Sequence, residues 1–268
     1  MTGVPSWLNV RPSKGAAFAI HLILSLAIFS SLVAVMLVYW FPGDLFFMDG
    51  GWEGLKLVAM VDLVLGPALT LILFKPGKPG LKLDLSMIAA VQIAALAYGF
   101  YATYNQRTMA VVFAETEFAT VSAKDKREAD KELLALDISP KPIPDSTAFT
   151  VPLLLTPAAE NFCEYMAQVL NGYPSAHMRN DQYVNLDGRH DDMQPHVYTA
   201  ERLEHEGILA PILEALSKHD RKLDDVEIYR FRARYANGFV LYDPDRSRII
   251  DYVSSKTEKS DKNVAENS

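Results

Sequence analysis

Residues 16–40 read AAFAIHLILSLAIFSSLVAVMLVYW, an unbroken apolar run whose one ionisable side chain is His21. As a helix rising 1.5 Å per residue it is about 37 Å long, more than the roughly 30 Å hydrocarbon core of a bilayer. The run predicts a membrane span, and it is too long for the core of a cleaved signal peptide, which reaches about 15 residues. Outward from it lie two further runs. Residues 55–74 hold Lys56 at their start and Asp62 within. Residues 85–104 carry no charge and gather Tyr98, Tyr101 and Tyr104 toward their end, as an interfacial aromatic belt does.

The charges fall almost entirely beyond these runs. Of 26 Lys and Arg and 33 Asp and Glu, 20 and 28 lie after residue 104, a net of −8 for that part of the chain. An acidic balance of this kind argues against nucleic acid or anionic lipid as the main partner, and no nucleic acid is expected. The expected fold class is a membrane α-helical bundle of three transmembrane helices followed by a soluble α+β domain with a C-terminal antiparallel β-meander. The expected divisions are an N-terminal segment 1–15, a transmembrane domain 16–104, a soluble domain 105–254, and a polar tail 255–268 that reads as disordered.

Basic residues orient the spans. Arg11 and Lys14 precede the first, and Lys75, Lys78 and Lys82 crowd the loop between the second and third, so both regions are expected in the cytoplasm. The loop between the first two spans carries Asp44, Asp49 and Glu53, and only Arg107 follows the third span closely. That loop and the soluble domain are expected on the outer, periplasmic side.

Polar residues inside the spans are candidate functional groups, because an ionised carboxylate in lipid costs about 3 kcal/mol on insertion scales. Depth arithmetic separates Asp62 from His21 by about 12 Å along the membrane normal. It predicts two polar layers, Asp62 with Tyr98 and His21 with Gln92. Gly66 and Pro67 interrupt the second span and predict a kink and a groove. Ala90 with Ala94, and Ala95 with Gly99, place small residues where a helix can approach closely. The loop Trp40, Phe41, Pro42 through Asp49, Gly50, Gly51 and Trp52 is aromatic and broken by Pro and Gly, so it is expected to lie at the membrane interface.

In the soluble part a strand is expected over 110–121, then a helix over 123–136 capped by Ser122. An extended linker follows over 138–152, and a helix started by Thr156 and Pro157 ends at Asn171 and Gly172. Residues 173–199 read as irregular, and a helix is expected over 200–219. Alternation over 226–235, a turn at Asn237 and Gly238, a strand over 239–242, a turn at residues 243–245 and a strand over 248–253 make the meander.

Catalytic signatures are missing from the sequence: it holds no phosphate-binding glycine loop, nucleophile elbow or paired-acid motif. His177, His190, Asp191, Asp192 and His196 lack the tight pairing of zinc helices, so no metal site or cofactor is expected. Arg230, Arg232 and Arg234 share a strand face, read as a solvated face with an acidic-partner site as the sharper alternative. The single cysteine, Cys163, allows no intrachain disulfide and is expected to be a small buried apolar residue.

At Tyr39, Trp40, Phe41, Pro42, Gly43, then Asp49, Gly50, Gly51, Trp52, then Val61, Asp62, Leu63, Val64, Leu65, Gly66, Pro67, the chain resembles the type IV pilin accessory proteins, also described as pilin-specific chaperones or fimbrial assembly proteins. The resemblance runs through Gln92, Tyr98, Gly99, Arg107 and Phe113 to about Val121 and is weak beyond. Thr108 stands where the usual pattern has proline. The resemblance implies a multi-pass protein of the bacterial inner membrane that supports the stability or assembly of a type IV major pilin. Its implied partner-binding residues are Trp40, Phe41, Pro42, Asp49, Gly50, Gly51, Trp52, Asp62, Gly66, Pro67, Gln92, Tyr98, Gly99 and Arg107. The implied partners are the pilin, through its transmembrane helix and periplasmic head, and the lipid bilayer. An enzyme or regulator of pilin modification is the alternative class, and a membrane sensor a third.

Overall fold

A computed structural model describes residues 13–75 and 79–255. The expectations for Arg11, Lys78 and the tail beyond Ser255 lie outside the described residues. The chain divides into two compact units, one of residues 1–36 and 52–104, the other of 37–51 and 105–268.

The first unit is helical. Three helices are long and apolar enough to cross a membrane: Lys14–Trp40, Gly51–Leu73 and Leu81–Gln106. The first is α1 (Lys14–Val35), capped by Ser13, which accepts from the Ala16 amide at 3.1 Å; it widens into a π-helical turn over Met36–Trp40. After a short α2 (Leu45–Met48), the second is built from α3 (Gly51–Ala59), a π-helical turn over Met60–Leu65, and α4 (Gly66–Leu73). The third is α5 (Leu81–Gln106). Ile20, Ile23, Met60, Ile72, Val91 and Ile93 all stand exposed on them, the pattern of helices solvated by lipid rather than water.

Small residues set the spacing of the second and third helices. A Cβ on Gly99 would lie 3.0 Å from Val58 Cγ2, and one on Gly54 would lie 2.7 Å from Thr103 Oγ1. Thr103 turns its hydroxyl back onto the Gly99 carbonyl at 2.8 Å, which removes a polar group from the contact. The close approach expected at Gly99 is therefore made to the second helix of the same chain.

The second unit is a seven-stranded mixed sheet in the order β4-β3-β1-β2-β5-β6-β7. Its strands are β1 (Thr108–Ala114), β2 (Glu117–Ser122), β3 (Leu153–Thr156), β4 (Val184–Asn185), β5 (Glu227–Arg232), β6 (Asn237–Asp243) and β7 (Arg248–Ser254). The run expected as one strand over 110–121 is a hairpin, because Glu115 takes a left-handed conformation at φ 57° and reverses the chain. Ser122 caps α6 (Ala123–Ala135) in a reciprocal box with Asp125, as its spacing predicts. Crossing over through α6 and the proline-rich segment, the chain lays β3 parallel to β1.

Thr156 ends β3 instead of starting a helix; α7 (Phe162–Leu170) begins later, capped by Asn161. Cys163 is exposed on α7, against the expectation of a buried residue. The irregular stretch contains β4 and α8 (His190–Met193). The helix expected over 200–219 is divided into α9 (Ala200–His205) and α10 (Leu209–Lys218), with Gly207 between them at φ 71°.

The meander forms as read, with one shift. Asn237 and Gly238 are strand residues paired with Arg232 and Phe231, and the turn falls at Ala233–Ala236, closed by the Ala233 amide on the Ala236 carbonyl at 2.8 Å. Gly238 is required because a side chain there would collide with the Val253 carbonyl of β7. One sheet face buries Val111, Phe113, Phe118, Leu155, Tyr229, Phe231, Val240 and Tyr242. On the other, Ile228, Phe239, Leu241 and Val253 pack under Leu203, Ile208, Ile212 and Leu216 of the two helices.

Candidate functional site

In the membrane unit the polar residues meet around the break in the second helix. The Gly66 amide reaches back five residues to the Val61 carbonyl, and Pro67, with no amide hydrogen to give, follows it. The wide turn so formed carries Asp62, buried to 5 % exposure. His21 Nδ1 lies 2.7 Å from the Thr70 hydroxyl. A Cβ on Gly66 would fall on the Gln92 amide and 3.0 Å from His21 Nε2, so His21 and Gln92 converge on the bare Gly66 backbone as the depth arithmetic expects. The second expected layer is not formed: Tyr98 is 68 % exposed and does not meet Asp62.

These residues line a cleft of about 510 Å³ whose walls are otherwise apolar: Ile20, Leu24 and Ile28 from α1, Ile88, Ile93 and Leu96 from α5. His21, Ser25, Asp62, Thr70 and Gln92 are its polar points. Among the described residues no hydrogen bond or ion pair holds the Asp62 carboxyl group.

The aromatic loop behaves differently from a bare interfacial anchor. Leu45 and Met48 are members of the main core of the second unit. Asp49 is almost fully enclosed and accepts three hydrogen bonds, from Thr108 Oγ1 at 2.5 Å, Thr120 Oγ1 at 2.8 Å and the Arg234 amide at 3.2 Å. The Tyr235 amide donates to the Met48 carbonyl at 3.0 Å. Gly50 has φ 103° and lies so close to the Tyr235 ring that a Cβ would approach it to 2.6 Å, while a Cβ on Gly51 would strike Phe46. Asp49, Gly50 and Gly51 thus latch the loop to β1, β2 and the turn after β5. Trp40, Phe41 and Pro42 are buried, Trp52 is exposed, and the Arg107 carbonyl accepts from the Ala123 amide at 3.0 Å.

Arg230 and Arg232 are exposed, as a solvated face requires, and each of the three arginines also has a contact within the chain. Arg232 pairs with Glu117 at 2.9 Å, Arg234 reaches Asp125 at 3.5 Å and bonds the Gln106 side chain, and Arg230 lies over the Phe239 ring. The histidines stay apart. His190 contacts Glu227 at 2.7 Å, His219 contacts Asp251 at 2.9 Å, and no three metal-ligating side chains gather among the described residues.

A second cavity, of about 800 Å³, opens in the soluble unit beside α7 and is lined by Thr156, His177 and Arg179 among others. Sequence reading assigned Thr156 to a helix cap and passed over Arg179. The available signal was the apolar spacing of Phe162, Tyr165 and Val169 on a helix with nothing to cover it.

Three helices long and apolar enough to cross a membrane, with an acid in a cleft among them, precede a soluble α+β unit, the build of a multi-pass membrane protein. No family model matches the chain, and no solved structure does. Curated proteins of Dichelobacter nodosus do. The fimbrial assembly protein of serogroups C1 and C2 is 36% identical over 97 residues, 35% of this chain and 73% of that protein. Those of serogroups I and E1 are 32% and 31% identical over 133 residues, 48% of this chain and 48% of each relative. The chain belongs to the fimbrial assembly protein family. It spans about half the length of two of these relatives.

Proposed function

We propose that the protein is a non-enzymatic accessory protein of the bacterial inner membrane that supports type IV pilin stability and pilus assembly by holding the pilin's transmembrane helix against the cleft at Asp62. The observation that carries this is the cleft itself, largely apolar along its walls and provided with one buried acid that makes no hydrogen bond or ion pair among the described residues. The names of the relatives supply the pilus. The packing of the aromatic loop supports the topology: residues 37–51 and 105–254 share one folded unit and so occupy the same side of the membrane. Lys14, Lys75 and Lys82 favour the cytoplasm for the opposite side, which leaves the soluble unit in the periplasm with the pilin head.

The test is photocrosslinking from position 24 or 93 in cells that make the cognate pilin, with and without Asp62→Asn. Pilin captured by the wild-type protein, and captured several-fold less by an equally abundant Asp62→Asn protein, supports the proposal. Equal capture by both removes Asp62 from it, and pilin levels and surface pili unchanged on gene deletion overturn it.

A further inference from the structure

The cavity beside α7 is not used by the membrane reading, and its walls specify a ligand of their own. It sits where the parallel strands β1 and β3 end, at Ala114 and Thr156, under α7 and the short helical turn Ala176–Met178. Crevices beyond the carboxyl ends of parallel strands are recurrent ligand sites, because backbone and side chains diverge there without closing.

Two buried donor atoms in this wall have no hydrogen-bond partner among the described residues. Arg179 is 4 % exposed; Asp181 takes its Nε at 2.9 Å and its Nη2 at 2.8 Å, and the Tyr173 ring lies 4.5 Å from the guanidinium carbon. Nη1 is left without an acceptor, and so is the hydroxyl of Thr156, itself 4 % exposed. Each unmet buried polar group is a desolvation cost that an acceptor brought by a ligand would recover.

Charge decides what kind of acceptor. Asp181 offsets Arg179, Glu117 offsets Arg232, and Glu115 adds a negative charge to the lining. His177, also in the wall, is neutral near pH 7 because burial and the Arg232 charge lower its pKa to about 4. A carboxylate or phosphate would meet no net positive charge, whereas a neutral carbonyl oxygen would satisfy both donors. Also in the lining, Phe162, Tyr165 and Val169, at 74 %, 42 % and 54 % exposure, form a stripe on one side of α7. Seven helical residues rise about 10 Å, the length of about three residues of extended chain.

We propose that this cleft binds an uncharged, extended peptide segment whose backbone carbonyls accept hydrogen bonds from Arg179 Nη1 and Thr156 Oγ1 while its alternate apolar side chains lie on Phe162, Tyr165 and Val169. The site stands independently of the cleft at Asp62.

Affinity selection tests it on the full chain in lipid nanodiscs. The probe is a pool of acetylated, amidated pentapeptides with Val, Leu, Ile or Phe at alternate positions and Ser between, read by mass spectrometry. Retention is expected on the wild-type protein and reduced about tenfold on Thr156→Val, which keeps the shape and removes the hydroxyl. Tyr165→Ala, an exposed change, is expected to reduce it comparably. Thr156→Val should unfold at the same temperature as wild type or higher, since it deletes an unmet donor; a purely structural Thr156 would lower it. No retention of the pool, equal retention by both variants, or preference for the free-acid pool or for a neutral trisaccharide would each overturn the proposal. None of these results touches Asp62, so failure here and failure of the membrane reading are separable.

Discussion

At the scale of single residues, Asp49 shows how a motif that reads as a binding loop is spent on folding. A buried carboxylate accepting three hydrogen bonds, one from a backbone amide, is a strong local constraint, and hydrogen bonds to charged groups contribute about 1.5–3 kcal/mol each. Asp49→Ala is expected to lower the stability of the second unit by about 3 kcal/mol, measured as a drop in Tm of the full chain. Thr108 donates the shortest of the three bonds from the position where the resembled pattern has proline, so Thr108→Val should cost less, about 1 kcal/mol. In the double variant the two losses should fall short of additive, because they remove the same bond.

Two titrating residues of that unit pull stability in opposite directions. Partial burial and a hydrogen bond with Asp251 push the Asp44 carboxyl up to about 6. Between the ordinary aspartate value and 6 the folded chain keeps a proton that the unfolded chain has lost, so stability falls as pH rises across that window. For His177, burial lowers the pKa to about 4, so the unfolded chain holds the extra proton between 4 and 6.5 and stability rises with pH. Melting curves from pH 4 to 7 should show Asp44→Asn with a steeper rise than wild type and His177→Asn with a shallower one. Identical profiles would mean neither group is perturbed.

Among elements, the second membrane helix is the one whose sequence says most. Its length, its apolar character and the break at Gly66 and Pro67 are all legible, because a proline in a helix has a fixed steric consequence. The form of the break was not legible: the bond from Gly66 to Val61 widens the turn and carries Asp62 with it. Side-chain partners across helices were half legible, since axial depth is given by residue count but rotation about the axis is not. His21 and Gln92 therefore meet, while Tyr98 faces outward. Packing of this helix against the third should be graded by side-chain size at Gly99. Gly99→Ala is expected to cost about 1 kcal/mol and Gly99→Leu about 3, read as loss of the folded membrane unit on titration with denaturing detergent. Equal tolerance of both would show that Val58 yields freely.

In the whole molecule, the soluble unit is discontinuous in sequence, and this could not be read from composition. The aromatic loop has the profile of an interfacial segment, and hydropathy does not distinguish burial in lipid from burial in protein. Leu45 and Met48 contribute about 2 kcal/mol each by burial, and with the Asp49 bonds the loop supplies about 7 kcal/mol. That is comparable to the entire stability of a typical domain, about 5–15 kcal/mol. Residues 105–255 expressed alone are therefore expected to be aggregation-prone or only partly folded. A peptide of residues 41–51 added in trans should raise their melting temperature, and the same peptide carrying Asp49→Ala should not. A cooperative melt of the isolated fragment at the temperature of the full chain would show that the loop merely rests on the unit. If the loop completes the core, the soluble unit can finish folding only once residues 41–51 and 105–255 have come together.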